Sequence, residues 1–180
     1  MRTLYVVVVL LALSLNPGFS HASLARQEAT PAACPTTTEE ENVAIAEAWH
    51  EEVINQRNPA VLEEILDPHA VRHAAGGYPE EMNPAGVTAM MGDFLTAFPD
   101  LHYAFDLWIV QDDLVVERYT ATGTQQGQFG DLPPSDRTAT RTGINIFRIA
   151  CGKIVEIWSE VNALSRTAQL TAPTEATPAP

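Results

Sequence analysis

Glu156, Trp158, Glu160 and Asn162 stand at alternate positions in EIWSEVN, near the C-terminal end of the chain. Side chains of an extended strand alternate between its faces, so these four share one face. A carboxylate beside an indole then has two fates. Facing an apolar pocket, it loses solvation, its pKa rises and it can act as a general acid or base; facing water, it stays ionised and inert. On the pocket reading Glu160 is the candidate catalytic base, with Trp158 and Asn162 as substrate contacts. A second group lies in LVVERYTATG, where Glu117 and Tyr119 share one face and Arg118 takes the other. Turned inward, Tyr119 offers a donor to an oxyanion; core packing is the other reading. Asn145 and Arg148 fall on opposite faces of their strand, and the inward one is placed to orient a substrate carbonyl.

Other chemistries lack their residues. The sequence has no Gly-Lys-Ser/Thr phosphate loop, no Gly-x-Ser-x-Gly elbow and no His-Glu-x-x-His helix. His69 and His73 are four apart, but Pro68 and the glycines after them oppose the helix that a metal-binding pair would need. The two cysteines, Cys34 and Cys151, form no Cys-x-x-Cys pattern, which argues against structural zinc. A formal charge of −13 excludes the basic footprint that nucleic acid or an anionic membrane requires.

The elements that must position these residues follow from the hydrophobic pattern. Residues 1–22 read as a signal peptide: Arg2, then an apolar run from Leu4 to Leu15, then a Ser-His-Ala cleavage form, too short to span a bilayer stably. The expectation is an exported protein beginning at Ser23 or Arg26. Residues 23–37 read as a flexible leader and 171–180 as a disordered Pro/Thr/Ala tail. Thr38 with Glu41 forms a capping box that opens a helix over 39–56, with Ile45, Trp49 and Val53 as its apolar stripe. Asn58-Pro59 and Asn83-Pro84 open a short helix over 59–66 and a third to about residue 98. The period then changes to two. Strands are expected over 101–110, 114–123, 137–149 and 153–161, with a short terminal helix over 163–170. The last two strands meet at Ala150-Cys151-Gly152-Lys153, where Gly152 supplies a positive φ. Helices followed by antiparallel strands give an α+β fold, with amphipathic helices over one face of a bent sheet around a cavity. An exported chain meets oxidising conditions, so Cys34 and Cys151 either bridge or remain two thiols.

Several motifs occur in order within this frame: FPDL at 98–101, GTQQGQF at 123–129, Pro133-Pro134, and GINIFRIACGKIVEIW at 143–158. Together they resemble the SnoaL-like polyketide cyclases, or ester cyclases, of the nuclear-transport-factor-2-like (NTF2-like) superfamily of α+β cones. That resemblance implies a cone whose curved antiparallel sheet, covered by three N-terminal helices, wraps around a pocket for a small apolar or carbonyl-containing ligand. It also implies ring closure by intramolecular aldol chemistry without metal or cofactor, and a homodimer built on the open sheet face. Relatives place a histidine near the pocket where this chain has His73, which makes His73 the second candidate catalytic residue. Where many relatives read Gly-Thr-His this chain has Gln125, and where they carry an aspartate four residues after the last tryptophan it has Asn162. Both amides keep hydrogen bonding and lose the proton-transfer group. They would serve as substrate-binding partners, and the pair of changes favours the alternative of a non-catalytic binding module.

Overall fold

The computed structural model describes residues 34–74 and 81–173. The apolar N-terminal segment, the leader up to residue 33, the Gly76-Gly77 loop and the tail from 174 lie outside the described residues. Among the described residues no helix is long and apolar enough to cross a membrane.

Helix α1 (Glu39–His50) starts where the capping box places it. The Thr38 hydroxyl accepts from the Glu41 amide at 3.2 Å, and the Glu41 carboxylate accepts from the Thr38 amide at 2.7 Å. Three glutamates in the first turn face the positive end of the helix dipole. The expected helix does reach residue 55, but its last part, Glu51–Asn55, is wound as a π-helix. A 3₁₀ turn at Pro59–Val61 leads into a single α turn, α2 (Leu62–Ile65), in place of one regular short helix. Helix α3 (Pro84–Ala97) has Asn83 as its cap, accepting from the Gly86 amide at 2.9 Å.

The strands are β1 (Leu66–Ala74), β2 (Glu81–Met82), β3 (His102–Gln111), β4 (Leu114–Thr124), β5 (Thr138–Ala150) and β6 (Lys153–Val161), followed by helix α4 (Ala163–Thr171). They form one curved, open sheet in the order β2-β1-β6-β5-β4-β3. The expectation of an antiparallel sheet needs one correction. The short extended piece at 69–73 is a nine-residue strand, β1, and it pairs in parallel with β6. The sequence hides this because Asp67-Pro68 reads as punctuation, whereas Pro68 falls in the irregular stretch between the paired residues Leu66 and Val71. Further register shifts interrupt β3 between Phe105 and Leu107 and β5–β6 between Arg148 and Ile149. Such irregularities bend a sheet.

The β5–β6 hairpin has positive φ at both Cys151 (55°) and Gly152 (73°). That is the two-residue turn whose twist matches the strands. The α+β architecture is therefore as the periodicity indicates. Trp49, Val53, Leu62, Val115, Phe147 and Ile157 meet in a core between helices and sheet.

Cys151 is bonded to Cys34, with Cα atoms 4.8 Å apart. The bond joins segments 117 residues apart and ties the chain just before α1 to the hairpin. In the chain-entropy treatment a closed loop of that length is worth up to about 5 kcal/mol. Reduction is therefore expected to lower the denaturation midpoint and to add the mass of two hydrogens to the intact protein. An unchanged mass and midpoint would show that the cysteines are not paired in solution.

Candidate functional site

Each strand divides its side chains between the helix-covered face and an open one, and the division decides which polar residues can act together. On β4 the covered face takes Val115, Glu117, Tyr119 and Ala121, all buried. On β5 it takes Arg141, Gly143, Asn145 and Phe147, and on β6 Ile157 and Ser159. The register sets Glu117 opposite Asn145 and Tyr119 opposite Gly143.

A polar cluster forms where α1 crosses these strands. Glu117 is 0% exposed. Its Oε1 accepts from Asn145 Nδ2 at 2.7 Å and lies 2.9 Å from His50 Nδ1, a close approach without the alignment of a hydrogen bond. Its Oε2 has no hydrogen-bond partner among the described residues. A buried carboxyl group is costly unless polar partners face it, and Asn145 and His50 are the two that do. His50 is the last residue of α1 and is itself buried. Its ring stacks on Tyr103 at 4.1 Å between centroids, 13° from parallel, and lies 5.1 Å from Tyr119.

The π-wound segment explains how this stack is held. Asn55 donates to the Tyr103 carbonyl and accepts from the Tyr103 amide, each at 2.9 Å. Strand β3 is thereby clamped with its ring under the imidazole. Tyr119 needs a different concession from the backbone. A β-carbon on Gly143 would come within 2.3 Å of the Tyr119 hydroxyl, so only glycine leaves room for it. Burial raises the Tyr119 pKa above the ordinary phenol value, with Tyr103 and Glu117 adding to the rise and Arg141 opposing it. The hydroxyl is thus a donor across the physiological range.

The residues singled out in the sequence separate into three places. Tyr119 and Asn145 lie in this interior cluster. His73, Trp158 and Glu160 do not; they occupy the open face. There His73 bonds Glu156 at 2.8 Å and stacks on Trp158, while Arg148 joins Glu156 and Asp113. The His73 hydrogen bond, and then Arg148, hold the Glu156 carboxyl below its usual range. Glu160 is exposed at the rim of a shallow depression of about 230 Å³.

Gln125 and Asn162 have structural duties. Gln125 is fully buried and its amide bonds the carbonyls of Leu132 and Pro133 while accepting from Ser135, which organises the Gly/Pro loop. Asn162 is exposed and caps α4 through the Ser165 amide at 3.1 Å. The shared-face reading of Glu156, Trp158 and Glu160 holds, but that face is the open one. The reason is that β6 sends Ile154, Ile157 and Ser159 under the helices.

The pocket expected beneath the curved sheet is small where it is described. Rings from α1, α3, β3 and β4 meet across the concave face and leave about 10 Å³ beside Phe94, Phe98, Arg141 and Arg166. Of the stripe Ile45, Trp49 and Val53, Trp49 and Val53 are buried and Ile45 packs against the core, but that spacing passes over His50, buried beside Trp49. The residues of α1 that are buried are Asn42, Ala46, Ala48, Trp49 and His50, and an imidazole four residues after Ala46 is the available signal for His50. Among the described residues no cluster suits a metal ion.

The model of the SnoaL-like polyketide cyclase family matches residues 44–170. Among solved structures, a candidate SnoaL-like polyketide cyclase from Jannaschia sp. CCS1 superposes with a TM-score of 0.69 at 22% identity, covering 79% of this chain and 99% of that one. TsrD from Streptomyces laurentii gives a TM-score of 0.67 at 25% identity, over 76% and 99%. IdmH, a candidate polyketide cyclase from Streptomyces antibioticus, gives 0.60 at 27%, over 74% and 99%. No curated protein sequence matches.

A Tyr119 phenol held protonated predicts its own alkaline behaviour. Stability from the raised pKa is full below about pH 10, the unfolded tyrosine value, and declines as pH rises toward the folded value. Ultraviolet titration should therefore show identical tyrosinate absorbance for the parent and Tyr119→Phe up to about pH 10, with the parent gaining its extra absorbance only at higher pH. A difference already present at pH 9 to 10 would contradict the buried, neutral phenol.

Proposed function

The chain belongs to the SnoaL-like polyketide cyclase family, and from that premise we propose that its interior cluster performs cofactor-independent acid–base chemistry on a carbonyl compound. The family and fold support a small-molecule domain of cyclase or isomerase type. The observation that carries the finer reading is the buried Glu117–His50 pair beside the protonated Tyr119 hydroxyl.

In this reading Glu117 Oε2 removes a proton from the carbon next to the substrate carbonyl. The electron pair moves into an enolate, whose oxygen accepts a hydrogen bond from Tyr119. For isomerisation, the proton returns from Glu117 to a different carbon. For cyclisation, the enolate carbon bonds to a second carbonyl carbon of the same molecule, and the new alkoxide takes the proton. His50, 2.9 Å from Oε1, and Asn145 hold the Glu117 carboxyl group in place in the ring stack while Oε2 takes and returns the proton. A ligand enters by displacing Phe94 and Phe98, which border the residual space. His73 and Glu160, on the open face, are outside this scheme.

The test is deuterium exchange into methyl acetoacetate, a neutral β-keto ester, followed by NMR. Glu117→Gln should lower the protein-dependent rate by roughly a hundredfold or more, the usual scale for a general base. His73→Ala and Glu160→Gln should match the parent. Equal rates in the parent and Glu117→Gln would remove the proposal.

A second reading is supported by a specific surface. Leu107, Ile109, Ile144 and Val71 are exposed on the sheet, flanked by the Arg118–Asp106 and Arg148–Glu156 ion pairs. We propose that this face joins two copies of the chain in a homodimer, and that residues 1–22 direct export. Ile144→Lys should shift the sedimentation coefficient from dimer to monomer. A parent that sediments as a monomer at high micromolar concentration would exclude the dimer.

A further inference from the structure

The open face of the sheet ends one of its apolar rows on an ionisable ring. The register aligns His73 of β1 with Trp158 of β6, Trp158 with Ile146 of β5, Ile146 with Val116 of β4 and Val116 with Ile109 of β3. The row crosses five of the six strands. Both its ends are open to solvent: Ile109 is 54% exposed and the His73 side chain 46%. In the next row Leu107, Arg118, Ile144 and Glu160 are aligned in the same way. A body that covers the row from Ile109 to Trp158 therefore covers His73 as well.

The groups around His73 decide what its charge does there. Its Nε2 lies 2.8 Å from Glu156 Oε1, and its ring stacks on Trp158 at 5.2 Å between centroids, 16° from parallel. Glu156 Oε2 accepts from Arg148 on β5 at 3.1 Å, and Arg148 also donates to Asp113, just before β4, at 2.8 Å. Glu160 stands further along β6, and Glu81 of β2 is paired beside Val71; both are exposed. On β1 itself His69 is exposed, while Arg72 turns to the covered face and reaches Met90 Sδ on α3 at 3.6 Å. The bonded group of Glu156, Asp113 and Arg148 thus carries one surplus negative charge when His73 is neutral and none when it is protonated. A net charge is costly to take out of water, whereas a paired and neutral network is much less so. An isologous contact covers the same patch twice, so it meets that cost in both copies. Histidine is the side chain that ordinarily changes charge between about pH 5 and 8.

We propose that the open face is a proton-gated homodimer interface, which closes when His73 is protonated. The gate rests on the homodimer reading of this face; the aligned row and the surrounding charges place it at His73. A second copy is the occupant that charge favours. The chain as a whole carries −13, but here Arg118 and Arg148 offset Asp106 and Glu156, so two acidic chains meet with little repulsion. The dimer holds more protons than two separate chains, so association strengthens as pH falls and weakens as pH rises.

Sedimentation equilibrium at constant ionic strength tests this on the parent, His73→Gln and Glu156→Gln. The parent should dimerise at least about tenfold more tightly at about pH 6 than at about pH 8. His73→Gln keeps a hydrogen bond to Glu156 but takes no charge, and it should show the parent's high-pH affinity at both values. Glu156→Gln removes the surplus negative charge, so it should dimerise more tightly than the parent at high pH and gain little on acidification. A parent dimer of equal affinity at both values, or a tightening that survives His73→Gln, would overturn the gate and leave the homodimer standing. A parent that stays monomeric at both values at high micromolar concentration would remove the homodimer and the gate together.

Discussion

Burial of one carboxyl group is the constraint around which this domain is built. Glu117 sits mid-strand beneath a helix and is closed off from solvent. Removing either partner of a buried pair typically costs about 3–5 kcal/mol, whereas replacing both by apolar groups is often neutral or stabilising. Stability alone therefore gives no reason to keep Glu117 and His50. Keeping them requires several dependent features. The helix must end at His50, the π-wound turn must bring Asn55 to β3, and Tyr103 must lie flat against the imidazole. A π-segment inside a helix costs regular hydrogen bonding and is frequent at functional positions. Gly143 belongs to the same set, since its missing side chain is what admits Tyr119.

The family motifs have a different role from the cluster. Asp100 of FPDL accepts from the Thr124 amide at 2.6 Å, and Gly123 packs against Phe98 and Leu101. The amides of Gln126 and Gly127 bond the Ala97 carbonyl at the end of α3, where a β-carbon on Gly127 would strike the Thr96 carbonyl. These motifs lock the end of α3 to the end of β4. They build the frame, and Gln125 staples the loop that leaves it.

This explains what could be read from the amino acids and what could not. Helix starts were legible because Thr38-Glu41 and Asn83-Pro84 are local signals that tertiary contacts did not override. The strands were legible by their period, and so was the fact that Glu117 travels with Tyr119 and Glu156 with Trp158 and Glu160. Which face turns inward is not a local property. It depended on β1 pairing in parallel beside β6 and on the helices covering Ile154, Ile157 and Ser159. His50 escaped notice for a related reason. Trp49 is a stronger apolar marker than its neighbour, yet the helix turns both toward the core.

Two ionisable systems therefore share one sheet, separated by its thickness. The open-face chain of His73, Glu156, Arg148 and Asp113 is partly solvated, while the covered-face pair of His50 and Glu117 is sealed by rings. In the proposed chemistry His50 and Glu117 act together as one proton-holding unit. The most direct measurement is the imidazole ¹⁵N spectrum of His50 across neutral pH, in the parent and in Glu117→Gln. The account predicts that the Nδ1 resonance of His50 moves when the carboxylate becomes an amide, while those of His73 stay in place. A His50 spectrum indifferent to Glu117 would contradict it.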